Sequence, residues 1–467
     1  MIQVFNQYVS RKSVVLIAGE AVLIVLSIFG AALVRFWGEP SSLWNYVEFP
    51  DFELPLLAMV LTFQVCFYYN DLYDLNIQRG RQDRIIDVGR AIGAACCVLG
   101  LLYFLIPSLT VGRGVLFIAV GFIGICAAGT RTAIDRIWPA RATGQNVLIL
   151  GCGQMALTVA REFSRRSDLN VHIVALTGQE VPQESETAFG YPILGPVGDI
   201  EAFVAQGNVS RIVVAMENRR GMLPVRSLVK LRVSGVRIED AHTALAALSG
   251  RIWLETVQPS WFVFSDGFRR SRLMLEVKRT LDLAFGLIGL VLSLPVMWLV
   301  AAAIKLDSKG PVLYRQARVG YRGRPFEVLK FRSMRTDAEE ENGAQWALER
   351  DPRITRVGKI IRRFRLDELP QFVNVIKGEM SFVGPRPERP IFVEELHKVI
   401  PYYDERHTVR PGLTGWAQVR YPYGASVEDA RRKLEYDLFY LKNLSLAFDL
   451  AIVFDTVKTV LGAKGAR

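Results

Sequence analysis

The chain is poor in the side chains that cross-link proteins or bind zinc. Its 467 residues include only five cysteines and four histidines. Cys66, Cys96, Cys97 and Cys126 fall in apolar runs and Cys152 in a glycine-rich turn. No CxxC pair occurs, and His172, His242, His397 and His407 are scattered. Neither a disulfide framework nor a zinc site is expected, and the parts outside any membrane are expected in a reducing compartment. An isolated Lys/Arg tail and zinc-finger spacing are also missing. The net charge of +11 therefore points to anionic lipid or phosphorylated small molecules before nucleic acid.

Apolar length is abundant, with 51% of the residues hydrophobic. Four apolar stretches fill the first third: about Val14–Val34, Leu54–Tyr69, Ala91–Pro107 and Gly114–Gly129. Each is near the roughly 20 residues that a helix needs to cross a bilayer. The first is not read as a cleaved signal peptide, because three more spans follow it and no small-residue cleavage site ends it. Glu20 and Gln64 are expected to face neighbouring helices. Basic residues collect before the first stretch (Arg11, Lys12), between the second and third (Arg79, Arg81, Arg84, Arg90) and after the fourth (Arg131, Arg136, Arg141). The loop after the first stretch is acidic, with Glu39, Glu48, Asp51 and Glu53. The positive-inside rule then puts the N-terminus and everything beyond Arg131 in the cytoplasm.

A fifth stretch, Leu283–Ile304, carries no charge. Both its flanks are basic: Arg269, Arg270, Arg272, Lys278 and Arg279 before it, Lys305, Lys309, Arg315, Arg318, Arg322 and Arg324 after it. Both ends therefore prefer the cytoplasm. Pro295, just after Ser293 and Leu294, removes a backbone hydrogen bond inside the run. Each arm of about ten residues rises only ~15 Å, half the hydrocarbon core. The expected structure is a re-entrant hairpin over about 281–305, with a plain fifth span as the alternative.

Between these membrane segments, Asn146–Leu150 reads as a buried strand, followed by Gly151-Cys152-Gly153-Gln154-Met155-Ala156 and a helical stretch to about Ser164. This GxGxxA turn, carried by Gly151, Gly153 and Ala156, sits in the strand-turn-helix context of a dinucleotide fold. Strands are predicted over Val171–Leu176, Arg211–Ala215 and Val236–Glu239. A Rossmann-like α/β domain is expected over 145–250, between a membrane region at 1–135 and a last domain at 270–467. The cofactor half of the pattern is lacking. Thr177-Gly178 stand where an acidic ribose ligand belongs, Glu180 comes late, and no Tyr-x-x-x-Lys pair for redox or dehydratase chemistry follows. Nucleotide sensing or scaffolding is expected rather than hydride transfer, unless the glycines make no more than a tight turn.

In the last third, Asp367-Glu368 stand among Arg353, Arg356, Lys359, Arg362, Arg363 and Arg365 on one side and Lys377, Arg386 and Arg389 on the other. Charge pattern alone leaves two readings. One is a solvated helix face whose surface pairs are each worth ~0–1 kcal/mol. The other is a site for a polyanionic substrate, with a carboxylate held ready to attack it.

Ordered motifs surround this pair: Lys278-Arg279-x-x-Asp282, Gly310-Pro311-Val312-Leu313-Tyr314-Arg315-Gln316, Arg318-Val319-Gly320 and Lys330-Phe331-Arg332-Ser333-Met334. Then come Leu366-Asp367-Glu368-Leu369-Pro370-Gln371, Asn374, Gly378-Glu379-Met380-Ser381, Gly384-Pro385-Arg386-Pro387 and Arg410-Pro411-Gly412-Leu413-Thr414-Gly415-Trp416-Ala417-Gln418-Val419. From about Val277 onward the chain resembles the bacterial sugar transferases of the polyisoprenyl-phosphate hexose-1-phosphate transferase family, also called monotopic phosphoglycosyl transferases. Its layout resembles the long members that start exopolysaccharide or capsule assembly. The resemblance implies a four-helix membrane bundle, an α/β Rossmann-like middle domain and a mainly α catalytic domain with a re-entrant membrane hairpin. It implies transfer of a sugar 1-phosphate, glucose 1-phosphate in the longer relatives, from a UDP-sugar to undecaprenyl phosphate with release of UMP. Asp367 would be the nucleophile; with an ordinary pKa of ~3.9 an aspartate needs no base. Glu368 matches a Mg²⁺-binding glutamate and Arg386 a phosphate-binding arginine, with Arg365 and Arg332 as further phosphate ligands. For Arg386 the alternative is an ion pair to Glu379 or Glu388. Asp437 is a further metal or water ligand, or a helix-face ion pair. Arg279 and Asp282 would pin the base of the hairpin, and Ser293 and Pro295 its bend. Leu444–Leu461, broken by Asp449, Asp455 and Lys458, is expected to lie on the membrane surface. The implied setting is the bacterial inner membrane with both soluble domains on the cytoplasmic side. A homodimer, other polysaccharide-assembly enzymes and no nucleic acid are the implied partners. A non-catalytic, nucleotide-sensing membrane scaffold is the alternative function.

Overall fold

The computed structural model describes all residues except 1, 48–51, 76–80, 138–143, 178–186, 189–190, 195–199, 217–221, 258, 269, 337, 339–350, 423, 425 and 462–467. Glu48, Asp51, Arg79, Arg141, Gly178, Glu180 and Arg269, used above, lie outside the described residues. The chain divides into two compact units, Met1–Ala244 and Leu245–Arg467.

In the first unit the four apolar stretches form the helices Arg11–Arg35, Glu53–Tyr69, Arg81–Leu105 and Arg113–Ile137. Ser10 caps the first by accepting from the Lys12 amide. The helices share a core built from large residues such as Ile28, Phe63, Phe67 and Leu99 and from Ala31, Ala32, Ala91, Ala95 and Ala119. Small residues at the seams let apolar helices approach closely where the surrounding lipid supplies no hydrophobic drive. Leu26, Leu101, Phe104, Phe117 and Ile125 face outward, as they must if the surroundings are hydrocarbon. This is a membrane protein. Gln64 Nε2 donates to the Ile17 carbonyl at 3.0 Å, and Glu20 is ion-paired with Arg131 inside the bundle. Arg131, counted above as a loop cation, is instead a buried helix residue, and Glu20 neutralises it.

Several elements lie outside the sequence expectations, among them the strands Thr187–Ala188 and Tyr191–Leu194. A short helix covers Pro40–Val47. A hairpin of Ile2–Val4 and Gln7–Val9 precedes the first long helix. Its Tyr8 is buried, donates to Glu239 Oε2 at 2.6 Å and lies with its ring 4.6 Å from the Arg211 guanidinium.

Among the described residues, the Rossmann-like part has six strands in the order Thr187–Ala188, Tyr191–Leu194, Val171–Thr177, Gln145–Leu150, Arg211–Val214 and Arg237–Asp240. All pairings are parallel except that of the edge strand Thr187–Ala188. The chain winds both ways from Gln145–Leu150, the doubly wound pattern. Gly151 has φ +136°, and a Cβ there would meet the Ala215 carbonyl oxygen at 2.5 Å. The close approach of the neighbouring strand therefore requires this glycine whatever the turn binds. Gly153 caps the helix Gln154–Arg165, and Ala156 is fully buried beneath it.

The second unit is dominated by the helix Arg272–Asp307, which runs unbroken through Pro295. One stripe of it is buried, at Lys278, Asp282, Gly286, Val300 and Ile304, while Leu287, Ile288, Val291, Leu292, Trp298 and Leu299 are exposed. Both halves of the helix pack on the same unit. Gly289 lies so close to Phe372 that a Cβ would come within 2.7 Å of its ring, and Val300 and Ile304 join Phe331 and Ile361 in one core cluster. Arg279 donates to the carbonyls of Val375 and Ile376 at 2.7 and 2.8 Å, satisfying the C-terminal end of the helix Gln371–Lys377. Asp282 accepts from the Phe382 amide at 2.9 Å. Ser293 Oγ bonds the Leu290 carbonyl at 3.0 Å, on the turn before Pro295.

The unit is not all helical. Leu313–Val319 and Pro325–Phe331 form an antiparallel ribbon, and Ser381–Val383 pairs in parallel with Gly412–Thr414. A strap at residues 250–254 closes over the helix Val427–Lys442. There the Glu435 carboxylate, 0% exposed, is met by Arg251 Nη1 at 2.9 Å and the Leu254 amide at 3.2 Å. Trp416 Nε1 donates to the Gly250 carbonyl at 2.7 Å. The last helix, Leu446–Leu461, corrects the simple surface reading. Asp449 faces inward, gripped by Lys278 Nζ at 2.6 Å and Tyr440 OH at 2.8 Å, whereas Leu450, Val457 and Val460 face outward.

Candidate active site

Asp367 and Glu368 lie on a single 3₁₀ turn, Leu366–Glu368, between the helices Arg356–Arg363 and Gln371–Lys377. The turn is entered through Arg365 in the left-handed region, φ 54°, a conformation that non-glycine residues adopt at a cost and that clusters at functional sites. Asn374, 1% exposed, locks the following helix to the ribbon. Its Oδ1 accepts from the Leu329 amide at 3.0 Å and its Nδ2 donates to the Glu327 carbonyl at 2.7 Å. This bracing carries Lys330 to the acidic pair.

Glu368 is held by three cations. Arg386 Nη2 donates to Oε1 at 2.6 Å; Lys330 Nζ lies 3.9 Å from Oε1 and Arg365 Nη1 3.7 Å from Oε2. Burial opposes the charge on Glu368, but Arg386, Lys330 and Arg365 outweigh it and hold the pKa at about 2. Asp367 goes the other way: burial, then the charge of Glu368, push its pKa above the ordinary aspartate value. Two adjacent carboxylates thus acquire different characters, one firmly ionised and one destabilised in its charged form. Burial also lowers Lys330 to about 8, against the pull of Glu368.

Arg386 meets Glu368, whereas the sequence alternative named Glu379 or Glu388. Glu379 accepts from Asn374, and Glu388 pairs with Arg318 at 3.3 Å. Arg318 also donates to the Pro387 carbonyl at 3.1 Å, and Arg406 to the Arg386 carbonyl at 2.9 Å. The backbone around Arg386 is therefore clamped from two sides. Arg332 departs from the expected role. Its Nη atoms donate to the carbonyls of Lys309 and Ser308 at 2.7 and 2.9 Å, so it ties the end of the long apolar helix to the ribbon instead of offering a fork to phosphate. Asp437 takes the ion-pair alternative: it meets Arg406 at 2.9 Å, and burial still lifts it to about 6.

These residues line one cavity of about 520 Å³, which also takes in Arg353, Arg362, Lys433 and Gln418. Lys330, Arg406, Lys433 and Gln418 were missed as site residues. For Lys330 a signal existed, since strand alternation puts it two residues from Arg332 on one face. Arg406 and Lys433 lie 39 and 66 residues from Asp367, and no periodicity links them to it.

A family model described as "Bacterial sugar transferase" matches residues 273–463, and one described as "CoA-binding domain" matches 69–240. The chain is 50% identical over 242 residues to "UDP-N-acetylgalactosamine-undecaprenyl-phosphate N-acetylgalactosaminephosphotransferase" from Aeromonas hydrophila, covering 52% of this chain and 56% of that protein. It therefore spans little more than half of that relative's length. It is 28% identical over 435 residues to "UDP-glucose:undecaprenyl-phosphate glucose-1-phosphate transferase" from Xanthomonas campestris pv. campestris, covering 90% of this chain and 89% of that one. An "Exopolysaccharide production protein PSS" from Rhizobium leguminosarum bv. phaseoli is 43% identical over 195 residues, 40% of this chain and 96% of its own. The chain belongs to the bacterial sugar transferase family.

Proposed function

We propose that the protein transfers a sugar 1-phosphate from a UDP-sugar to undecaprenyl phosphate, the acceptor in the names of the Aeromonas and Xanthomonas relatives. The supporting observation is the arrangement at the turn: Asp367 beside a Glu368 that is already clasped by Arg386, in a cavity rich in arginine. In the first step an Asp367 carboxylate oxygen bonds to the sugar-bearing phosphorus, and the bond from that phosphorus to the bridging oxygen breaks, releasing UMP. In the second, a phosphate oxygen of the lipid attacks the same phosphorus and the Asp367 carboxylate leaves. Neither step needs a proton moved by the enzyme. The obstacle is repulsion between a carboxylate and a diphosphate, which Arg386, Lys330 and Arg365 offset.

A Mg²⁺ ion fits these residues. Glu368 stays ionised and has Oε2 no closer than 3.7 Å to Arg365, and Mg²⁺ is commonly held by one or two carboxylates with substrate phosphate oxygens and water. Bound there, it would neutralise charge on the diphosphate. The test of the function is UMP release from a panel of UDP-sugars, with the protein in nanodiscs and undecaprenyl phosphate supplied. Turnover with at least one sugar is expected, and none with any sugar would overturn the reading.

The same reading places the module at the cytoplasmic face of the inner membrane, where both substrates meet. The helix Arg272–Asp307 would dip into one leaflet as a re-entrant element. It is supported by both halves of the helix packing on one unit and by the lipid-ready outer faces of this helix and of Leu446–Leu461. A cysteine introduced at Leu306 is expected to react with an impermeant thiol reagent only from the cytoplasmic side. Labelling from the periplasm would restore the plain fifth span.

A further inference from the structure

Most of the arginines that line the cavity are already committed. Arg353 grips Asp351 through two nitrogens at 2.6 and 2.8 Å, Arg365 and Arg386 face Glu368, and Arg406 holds Asp437. Arg362 differs. It stands in the last turn of the helix Arg356–Arg363, part-buried in the cavity wall. Among the described residues its guanidinium has neither an ion pair nor a hydrogen-bond partner. Its charge nonetheless favours the ionised forms of both Asp351 and Asp367, so it lies near the attacking carboxylate. An uncommitted guanidinium there suits a second phosphate. The same cavity reaches the end of the long apolar helix. Leu287, Val291, Leu294 and Trp298 are spaced four, three and four residues apart and so share one face of Arg272–Asp307. Each of them is more than half exposed. Lys305, seven residues beyond Trp298, continues that face, and its Nζ donates to the Gly310 carbonyl at 3.0 Å. Pro311, the next residue, and then Leu313 and Tyr314 belong to the cavity wall. The apolar face therefore ends in a cation at the lip of the cavity.

We infer that the lipid acceptor uses both features: its prenyl chain follows the helix face at 287–298, and its phosphate passes Lys305 to be held by Arg362 beside Asp367. The assignment rests on the transferase reading above and names where the second substrate of that reaction sits, apart from the Arg386 that serves the donor. Lipid is as apolar as Leu287 or Leu294, so the face gives the chain direction rather than affinity. Affinity comes from the phosphate, through charge-assisted bonds to a guanidinium in a partly enclosed wall. Lys305, with its long stem and charged end, suits the level at which a lipid head group leaves the hydrocarbon.

The experiment titrates undecaprenyl phosphate against the full-length parent, Arg362→Ala and Arg362→Lys in nanodiscs, with UMP release as the signal. Arg362→Ala should raise the KM for undecaprenyl phosphate roughly 10- to 100-fold and leave the KM for UDP-sugar within about twofold. Arg362→Lys should recover part of the loss, because it keeps the charge without the fork. An unchanged KM for the lipid, or an equal rise in the KM for UDP-sugar, would overturn the phosphate assignment. A prenyl phosphate with a photoreactive diazirine on its chain tests the face. Crosslinks are expected at 287–298 and should disappear when undecaprenyl phosphate is in excess. Crosslinks that avoid this face, on Leu446–Leu461 for instance, would overturn the path. If the parent released no UMP from any UDP-sugar, the transferase reading itself would fail instead.

Discussion

Asp367→Asn is expected to abolish UMP release, by roughly 10⁴-fold or more, as removal of a nucleophile does elsewhere. Intact-protein mass spectrometry should find a sugar-phosphate adduct on the parent after incubation with UDP-sugar and none on the variant; normal turnover by the variant would refute the role of Asp367. Stability separates lost chemistry from lost fold. Burial and Glu368 raise the Asp367 pKa in the folded state. The protein therefore loses stability as pH rises from the ordinary aspartate value through the raised one, and the whole penalty is present at neutral pH. The amide does not carry this penalty, so the variant should melt at or above the parent temperature. The activity profile follows from the same shifts. Its acid limb, set by ionisation of Asp367, should lie above the ~3.9 of an ordinary aspartate. Its alkaline limb should fall near the pKa of about 8 at which Lys330 loses its charge, and should move up in Lys330→Arg.

Arg386→Ala should be nearly as damaging, for two reasons. The first is loss of the guanidinium proposed to bind the donor's phosphate, worth roughly 10²–10³-fold in kcat/KM when a single preorganised donor is removed. The second is the Glu368 carboxylate left without its 2.6 Å partner. Breaking a fully buried pair costs ~3–5 kcal/mol. Here the Arg386 side chain is 28% exposed, so solvent screening reduces the loss to roughly 1–3 kcal/mol. Arg386→Lys keeps the charge without the fork and should fall between parent and alanine in both measures. Kinetics together with urea unfolding would read the two effects separately, and an unchanged kcat/KM in Arg386→Ala would remove it from the site.

Elements with strong periodicity or long apolar runs were legible in the sequence. The strand at Asn146–Leu150, the glycine turn after it and the first two long helices appear within a few residues of their expected bounds, because burial of a continuous apolar run leaves few alternatives. The third long helix begins at Arg81, well before the expected Ala91, and the fourth runs on to Ile137, well past Gly129, because helix continues through polar turns that the apolar run does not mark. The hairpin around Tyr8 was invisible: what makes it a structure is a bond to Glu239, 231 residues away. At the site, the acidic pair and Arg386 were readable as charges in motifs. Which cation meets which acid was not. Arg332 and Lys330 stand two residues apart, yet one binds backbone carbonyls and the other approaches Glu368, a division decided by how the ribbon folds against Ser308 and Asn374. Asp437 likewise showed only a carboxylate on a helix until Arg406 was placed beside it. The inward face of Asp449 reversed a polarity pattern that composition alone suggested, since a partner as distant as Lys278 decides which side of the helix is wet.

The strap at residues 250–254 bears on how the transferase half can be made by itself. Similarity to the sugar transferase family begins at residue 273, the natural place to cut for a shorter protein. A chain starting there would discard Arg251 and the Leu254 amide but keep the fully enclosed Glu435 carboxylate. Arg432, at 3.2 Å, would be its remaining cation, and the Trp416 indole beside Gln418 would lose its acceptor. A version that keeps these contacts must begin at or before Gly250, some twenty residues upstream of where the family match begins.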